Sequence, residues 1–191
     1  KSIYEYQQSL EEKVEQRTKE LNIKNEELFK LSITDKLTGL YNRVKLDSVL
    51  QENMSLSLRY GNIFSVIIID IDFFKKINDN FGHQVGDDVL KEFSYILSQN
   101  IRNVDTLGRW GGEEFLVVCP ETLKDGAKDL AIKLNKAIKL HKFSTYPHSV
   151  TISVGVASCS VNDLNYDDII SNADKALYEA KNNGRDRVEV F

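Results

Sequence analysis

The sequence predicts an α+β domain built on a mixed sheet and preceded by a helical stalk, and three observations carry that prediction. Helical and strand segments alternate through residues 32–191. One pair of strands is separated only by Gly111 and Gly112, and a two-residue turn joins antiparallel strands because it cannot make a parallel crossover. A sheet holding that hairpin among alternating helices is mixed, which favours α+β over a doubly wound architecture. Third, residues 1–31 contain no Gly or Pro and carry 6 bases and 7 acids, whereas the remainder holds every Gly and Pro and nearly every aromatic. This shift divides the chain into 1–31 and 32–191.

The elements follow in order. In 1–31, Ile3, Leu10, Arg17, Lys24 and Leu31 form one seven-residue series and Gln7, Val14, Leu21 and Leu28 the other, a coiled-coil seam interrupted by polar residues. Such a narrow apolar stripe suits an identical helix, and a helix folded back onto its own domain is the alternative. Thr34, Asp35, Thr38, Gly39 and Asn42 are cap and turn formers, so ITDKLTGLYNR ends the stalk as a hinge. Then come helix 44–60, strand 63–71, helices 73–80 and 86–101, strands 106–110 and 113–118, helix 124–141, strand 149–157, helix 167–182 and strand 187–191.

Composition narrows the function. With 41% apolar and 28% charged residues, a packed core is available. A net charge of −4 gives no broad basic field for a nucleic-acid polymer. Cys119 and Cys159 sit in apolar, strand-like contexts and are expected to be inert core thiols, not a disulfide framework. The apolar run Val66 to Ile69 is far too short to span a bilayer. The chain does not begin with Met and is expected to be an excerpt, with any membrane anchor elsewhere.

The strand SVIIIDIDFF places Ile67, Ile69 and Ile71 on one face and Ile68, Asp70 and Asp72 on the other. A buried carboxylate needs a cation, a metal or a ring of donors. Asp72 can cap the following helix, whereas Asp70, inside the strand, cannot, and a divalent ion suits it better. In RWGGEEF, residues 109–115, Glu113 and Glu114 follow the double glycine. Adjacent strand residues face opposite ways, so only one joins Asp70 without local distortion. A plain hairpin with solvated glutamates is the other reading.

GGEEF at 111–115, TDKLTGLYNR at 34–43, DIDFFKKINDNFGHQVGDDVL at 70–90 and ADKALYEAKNNGR at 173–185 occur in the order seen in one family. The chain resembles the diguanylate cyclase, or GGDEF, family over about residues 32–191, and coiled-coil stalks are usual there. The resemblance implies a palm-like domain with a central five-stranded sheet, similar to class III nucleotide cyclases. It implies that each domain holds one GTP and that two GTP are joined into cyclic di-GMP in a homodimer. By that resemblance Asp70, the carbonyl of Ile71 and Glu113 bind two Mg²⁺ or Mn²⁺ ions per site, with Glu114 completing the cluster. Lys75 and the amides of Phe73 and Phe74 steady the phosphates, Lys181 and Arg185 contact the triphosphate, and Asn78, His83 and Asp87 recognise guanine. Lys75, Lys181 and Arg185 are otherwise ordinary surface or helix-end bases, and His83 an ordinary loop histidine. RNVD at 102–105 matches the family's product-inhibition motif, with Arg109 assisting, or else makes a local ion pair. A catalytically silent domain that binds GTP or cyclic di-GMP is the rival reading. The resemblance further implies a sensory domain upstream and a cytoplasmic catalytic domain.

Overall fold

The structure, a computed structural model, describes residues 2–160, 163 and 165–191. Helix α1 (Ile3–Ile33) leaves the domain as a stalk on which every side chain from 6 to 32 is exposed, so it does not fold back on its own domain. Leu10, Val14, Leu21, Leu28 and Leu31 of the predicted seam are all exposed, and the side chain of Ile3 lies outside the described residues. No described helix is long and apolar enough to cross a membrane.

The segment after α1 is a knit turn and not a loose hinge. Asp35 Oδ1 accepts from the amide and hydroxyl of Thr38, Asp35 N donates to Leu40 O, and Gly39 takes the left-handed φ of 72° that closes the loop. Asn42 accepts from Lys45 N as the N-cap of α2 (Arg43–Tyr60) and donates to Ser32 O at 2.8 Å, bracing the end of α1.

Then follow β1 (Phe64–Ile71), α3 (Phe74–Phe81), α4 (His83–Asn100), β2 (Thr106–Gly111), β3 (Glu114–Pro120), α5 (Lys124–Leu140), β4 (Ile152–Ser158), α6 (Tyr166–Asn182) and β5 (Arg187–Val190). The five strands form one mixed sheet in the order β2-β3-β1-β4-β5, with only β4 and β5 parallel. Alternation along β1 serves two cores. Ile67, Ile69 and Ile71 pack with residues of α3, α4 and α5, whereas Val66 and Ile68 pack with α2 and α6. With helices on both faces, β1 is buried throughout and must be centrally placed.

Several boundaries differ from expectation. Helix α4 begins at His83, not 86, and Gly86 is buried within its first turn. Strand β4 begins at Ile152, three residues later than read. The hairpin turn is Gly112–Glu113, closed by the Gly111–Glu114 pair, with an irregularity between Arg109 and Gly111. Gly112 supplies the positive φ of 48°. Cys119 is buried, and burial pushes its thiol far up, but Cys159 is half-buried with Sγ 3.2 Å from Ser57 Oγ. The inert-core reading therefore holds for Cys119 alone, since Cys159 lies one residue past the end of β4.

Candidate active site

The acidic cluster forms where β1 and β3 end together. Asp70 lies directly opposite Glu114 in the antiparallel register, which puts both side chains on the α6 face. Glu113 escapes the alternation by sitting in the turn, whose carbonyl accepts from Ile71 N. The shifted turn is thus the distortion needed to bring both glutamates near Asp70. From α6, Lys181 Nζ reaches Asp70 Oδ2 at 2.8 Å. Burial, outweighing Lys181, holds the Asp70 carboxyl above its ordinary range, and the charges of Glu113 and Asp72 add to this. Glu114 is raised by burial and then by Asp70, Asp174 and Glu113.

A folded-state pKa raised above its unfolded value means that the native protein holds the proton more tightly. Stability is then lost as pH climbs through that window. Glu114→Gln removes the repulsion, so the metal-free variant should melt higher than wild type at pH 7, by about 2 °C. The gap should close as pH falls toward 4. A lower melting temperature at neutral pH would show that Glu114 has a stabilising partner instead.

On the other face, Lys75 and Asn78 of α3, His83 and Asp87 of α4, and Arg109 and Glu113 of the hairpin line a cavity of about 480 Å³. Of the two adjacent lysines, Lys75 faces this cavity, while Lys76 Nζ lies 4.5 Å from the centroid of the Phe73 ring. Helices α3 and α4 can close around it because residue 86 has no side chain: a methyl group there would overlap Asn78 Oδ1 and press on Phe74. Gly86→Ala should therefore rotate Asn78 away and weaken binding of a ligand in this cavity about tenfold. It should have no further effect in an Asn78→Ala background, which titration of both variants would reveal.

Arg109 donates from Nε to Gly112 O at 2.8 Å and pairs with Asp35 at 3.3 Å, while its amide donates to Tyr41 O. It thereby ties the turn after the stalk to the turn bearing Glu113. Arg102 lies before the opposite end of β2 and lines a separate cavity of about 320 Å³ with Asn100, Asp129 and Lys133. Arg109 and Arg102 line separate cavities, with the length of β2 between them. Buried Asp105 accepts from the Arg102 amide at 3.0 Å, so RNVD closes as a turn and not as a side-chain ion pair.

At the start of α3 the first helical bonds come from Lys76 and Ile77 to Phe73 O, which leaves the Phe74 and Lys75 amides ahead of the helical ladder. Phe73 itself takes a left-handed φ of 57°, and the Arg185 guanidinium lies 4.6 Å from its ring centroid. Arg185 is brought back by the end of α6. Gly184 has φ 109°, and Arg185 N donates to Ala180 O in a Schellman closure. Asp72 does not cap α3. Its carboxylate accepts instead from Thr151, Ser153 and the amide of Asp186, because Thr151 just before β4 and Ser153 within it supply hydroxyls beside it.

Sequence reasoning missed Asp35, Gly86, Lys133 and Asp174. Asp174 was within reach, since it lies seven residues before Lys181, two turns along one helix face. Asp35 and Lys133 depend on contacts distant in sequence, and Gly86 on the packing of α4 against α3.

Among the described residues no group of three or more His, Cys, Asp or Glu side chains is arranged to hold a metal. The donor chemistry at Asp70 nevertheless suits a divalent cation, because Asp70, Glu113 and Glu114 crowd together, with Lys181 paired to Asp70.

A five-stranded mixed sheet, helices on both faces and carboxylates at the paired ends of its central strands define an α+β nucleotide cyclase fold of the palm-like type. The chain belongs to the GGDEF family: the family described as "Diguanylate cyclase, GGDEF domain" matches residues 32–187. It is 39% identical over 163 residues to the response regulator PleD of Caulobacter vibrioides, covering 83% of this chain and 36% of that protein. To diguanylate cyclase DgcP of Pseudomonas aeruginosa it is 38% identical over 188 residues, covering 96% of this chain and 28% of that protein. The chain thus spans about a third of the length of these curated relatives. Among solved structures it superposes on the coiled coil and GGDEF domain of DgcB from Caulobacter crescentus in complex with c-di-GMP. That match has a TM-score of 0.87 at 27% identity and covers 96% of this chain and all of that one.

Proposed function

We propose that this chain is the catalytic portion of a diguanylate cyclase, condensing two GTP into cyclic di-GMP and two pyrophosphates. The observation that carries this is one cavity lined by Asn78, His83 and Asp87 together with Lys75 and Glu113, the last a member of the acidic cluster. Asp87 can accept from both the ring N–H and the amino group of guanine, donors that adenine does not present along that edge. An adenine would leave that carboxylate unpaired, so ATP is a poor substrate. The 3′-oxygen of each GTP bonds to the α-phosphorus of the other, and each new bond breaks one bond to a departing pyrophosphate. The hydroxyl proton passes to Glu113, Glu114 or a water between them, Glu113 being the member of the acidic cluster that lines the cavity.

Asp70, the Ile71 carbonyl and Glu113 would hold Mg²⁺ or Mn²⁺, two per site, with Glu114 tuning the cluster. The metal supplies Lewis-acid stabilisation of phosphate charge. Lys75, the Phe73 and Phe74 amides and Arg185 steady the triphosphate, and Lys181 exchanges Asp70 for a phosphate oxygen. Since each domain holds one GTP, the reaction needs two domains face to face. The exposed stripe of α1, Leu10 to Leu31, supports a parallel homodimer that provides them. The cavity at Arg102, with Asp105 beside it, is proposed to take product as an inhibitor.

Incubation with GTP and Mg²⁺ should yield cyclic di-GMP by chromatography, and Arg102→Ala should prolong synthesis at high product. A demonstrated dimer that binds cyclic di-GMP and makes none would instead support a receptor.

A further inference from the structure

We propose that Asp72 is a positioning residue: it is the clamp that holds the loop after α6 in the one conformation that sets Arg185 against the phosphate site. The proposal rests on the cyclase reading only for what Arg185 binds. Arg185 and Asp186 have φ of 62° and 49°, two successive non-glycine residues in the left-handed region, which side chains disfavour and which persists only where the surroundings impose it. Buried Asp72 imposes it. Its Oδ2 accepts from Asp186 N at 3.1 Å and Thr151 Oγ1 at 2.8 Å, and its Oδ1 from Ser153 Oγ at 2.7 Å. The Asp72 amide is itself fixed by Thr151 O at 2.9 Å. From the far side, Asn135 Nδ2 reaches Asp186 Oδ1 at 3.4 Å and Lys139 pairs with Asp186 Oδ2. Between these holds, Arg185 has one place to lie, over the ring of Phe73, the residue that follows Asp72 in sequence.

With its oxygens committed to these donors, Asp72 serves the site through the loop and not as a ligand. An amide can replace the carboxylate here: an Asn oxygen can accept from Thr151 and Asp186 while its NH₂ donates to the Ser153 hydroxyl. A clamp therefore tolerates Asn and fails with Ala, whereas a metal ligand fails with both.

The test compares Asp72→Asn, Asp72→Ala and Arg185→Ala by calorimetric binding of Mn²⁺ and of a GTP analogue with a methylene between its α and β phosphorus atoms. Asp72→Asn should keep analogue affinity within about threefold and Mn²⁺ affinity unchanged. Asp72→Ala should lose about tenfold for the analogue, and Arg185→Ala should add nothing to that loss. Amide exchange at 184–187 should accelerate about tenfold in Asp72→Ala but not in Asp72→Asn. If Asp72→Ala does not fold, Asn135→Ala with Lys139→Ala, which frees Asp186 from the surface side, should show the same non-additivity with Arg185→Ala. Loss of Mn²⁺ binding in Asp72→Asn, additive losses with Arg185→Ala, or unchanged exchange at 184–187 would each overturn the clamp. A wild-type protein that binds no analogue would retire the cyclase reading, and the exchange measurement would then decide the clamp by itself.

Discussion

Asp70→Asn is expected to cut cyclic di-GMP synthesis by about a hundred- to a thousandfold, the scale on which a lost electrostatic contact to the reacting centre is felt. Asp70 is nearly buried at the end of β1 and faces Glu114 across the ladder. An amide there keeps the shape but removes the negative charge that makes a divalent cation worth dehydrating. The fold should not suffer. Burial already holds the Asp70 carboxyl above its usual range despite Lys181, so ionised Asp70 is an expense to the metal-free protein as pH rises past 3.8. The variant should melt at or above the wild-type temperature at pH 7, and magnesium should raise its melting point less. Product chromatography and thermal melts with and without Mg²⁺ read both effects. Activity within threefold of wild type would mean that Asp70 binds no metal.

Gly155→Ala should be the most damaging single methyl group for the fold. Gly155 is on β4 opposite Ile68, and a Cβ there would run into Ala173 O and the Leu177 amide of α6. Those are backbone atoms inside a helix and cannot turn aside, so α6 must lift from the sheet. Overpacking of this kind costs about 3 kcal/mol, which lowers the melting temperature of a chain this long by about 6–12 °C. Because the last turn of α6 carries Lys181 and the chain then leads to Arg185, the surviving folded protein should also bind GTP poorly. Gly111→Ala is the control, since nothing lies within 4 Å of that position and it should melt with wild type. Equal melting of the two variants would show that α6 has slack against the sheet.

Much of the architecture was legible because it rests on short-range pattern. The heptads of 1–31, the alternation in SVIIIDIDFF and the double glycine fix a stalk, a central strand and an antiparallel hairpin through local stereochemistry alone. The motifs also picked out Asp70, Glu113, Lys75, Asn78, His83 and Asp87, and the structure brings the last five together in one cavity with Asp70 beside it.

What the sequence determined by itself was therefore periodicity, turn chemistry and the identity of the charged residues. Tertiary structure alone decided which of them meet. It moved the hairpin turn by one residue so that Glu113 leaves the strand alternation, packed Gly86 against Asn78 and Phe74, and sent Arg109 to Asp35. It also gave Asp72 to a loop more than a hundred residues away. The Arg109 and Asp72 contacts depend on partners distant in sequence, and a carboxylate or a glycine takes its role from whichever donor or backbone the fold sets against it.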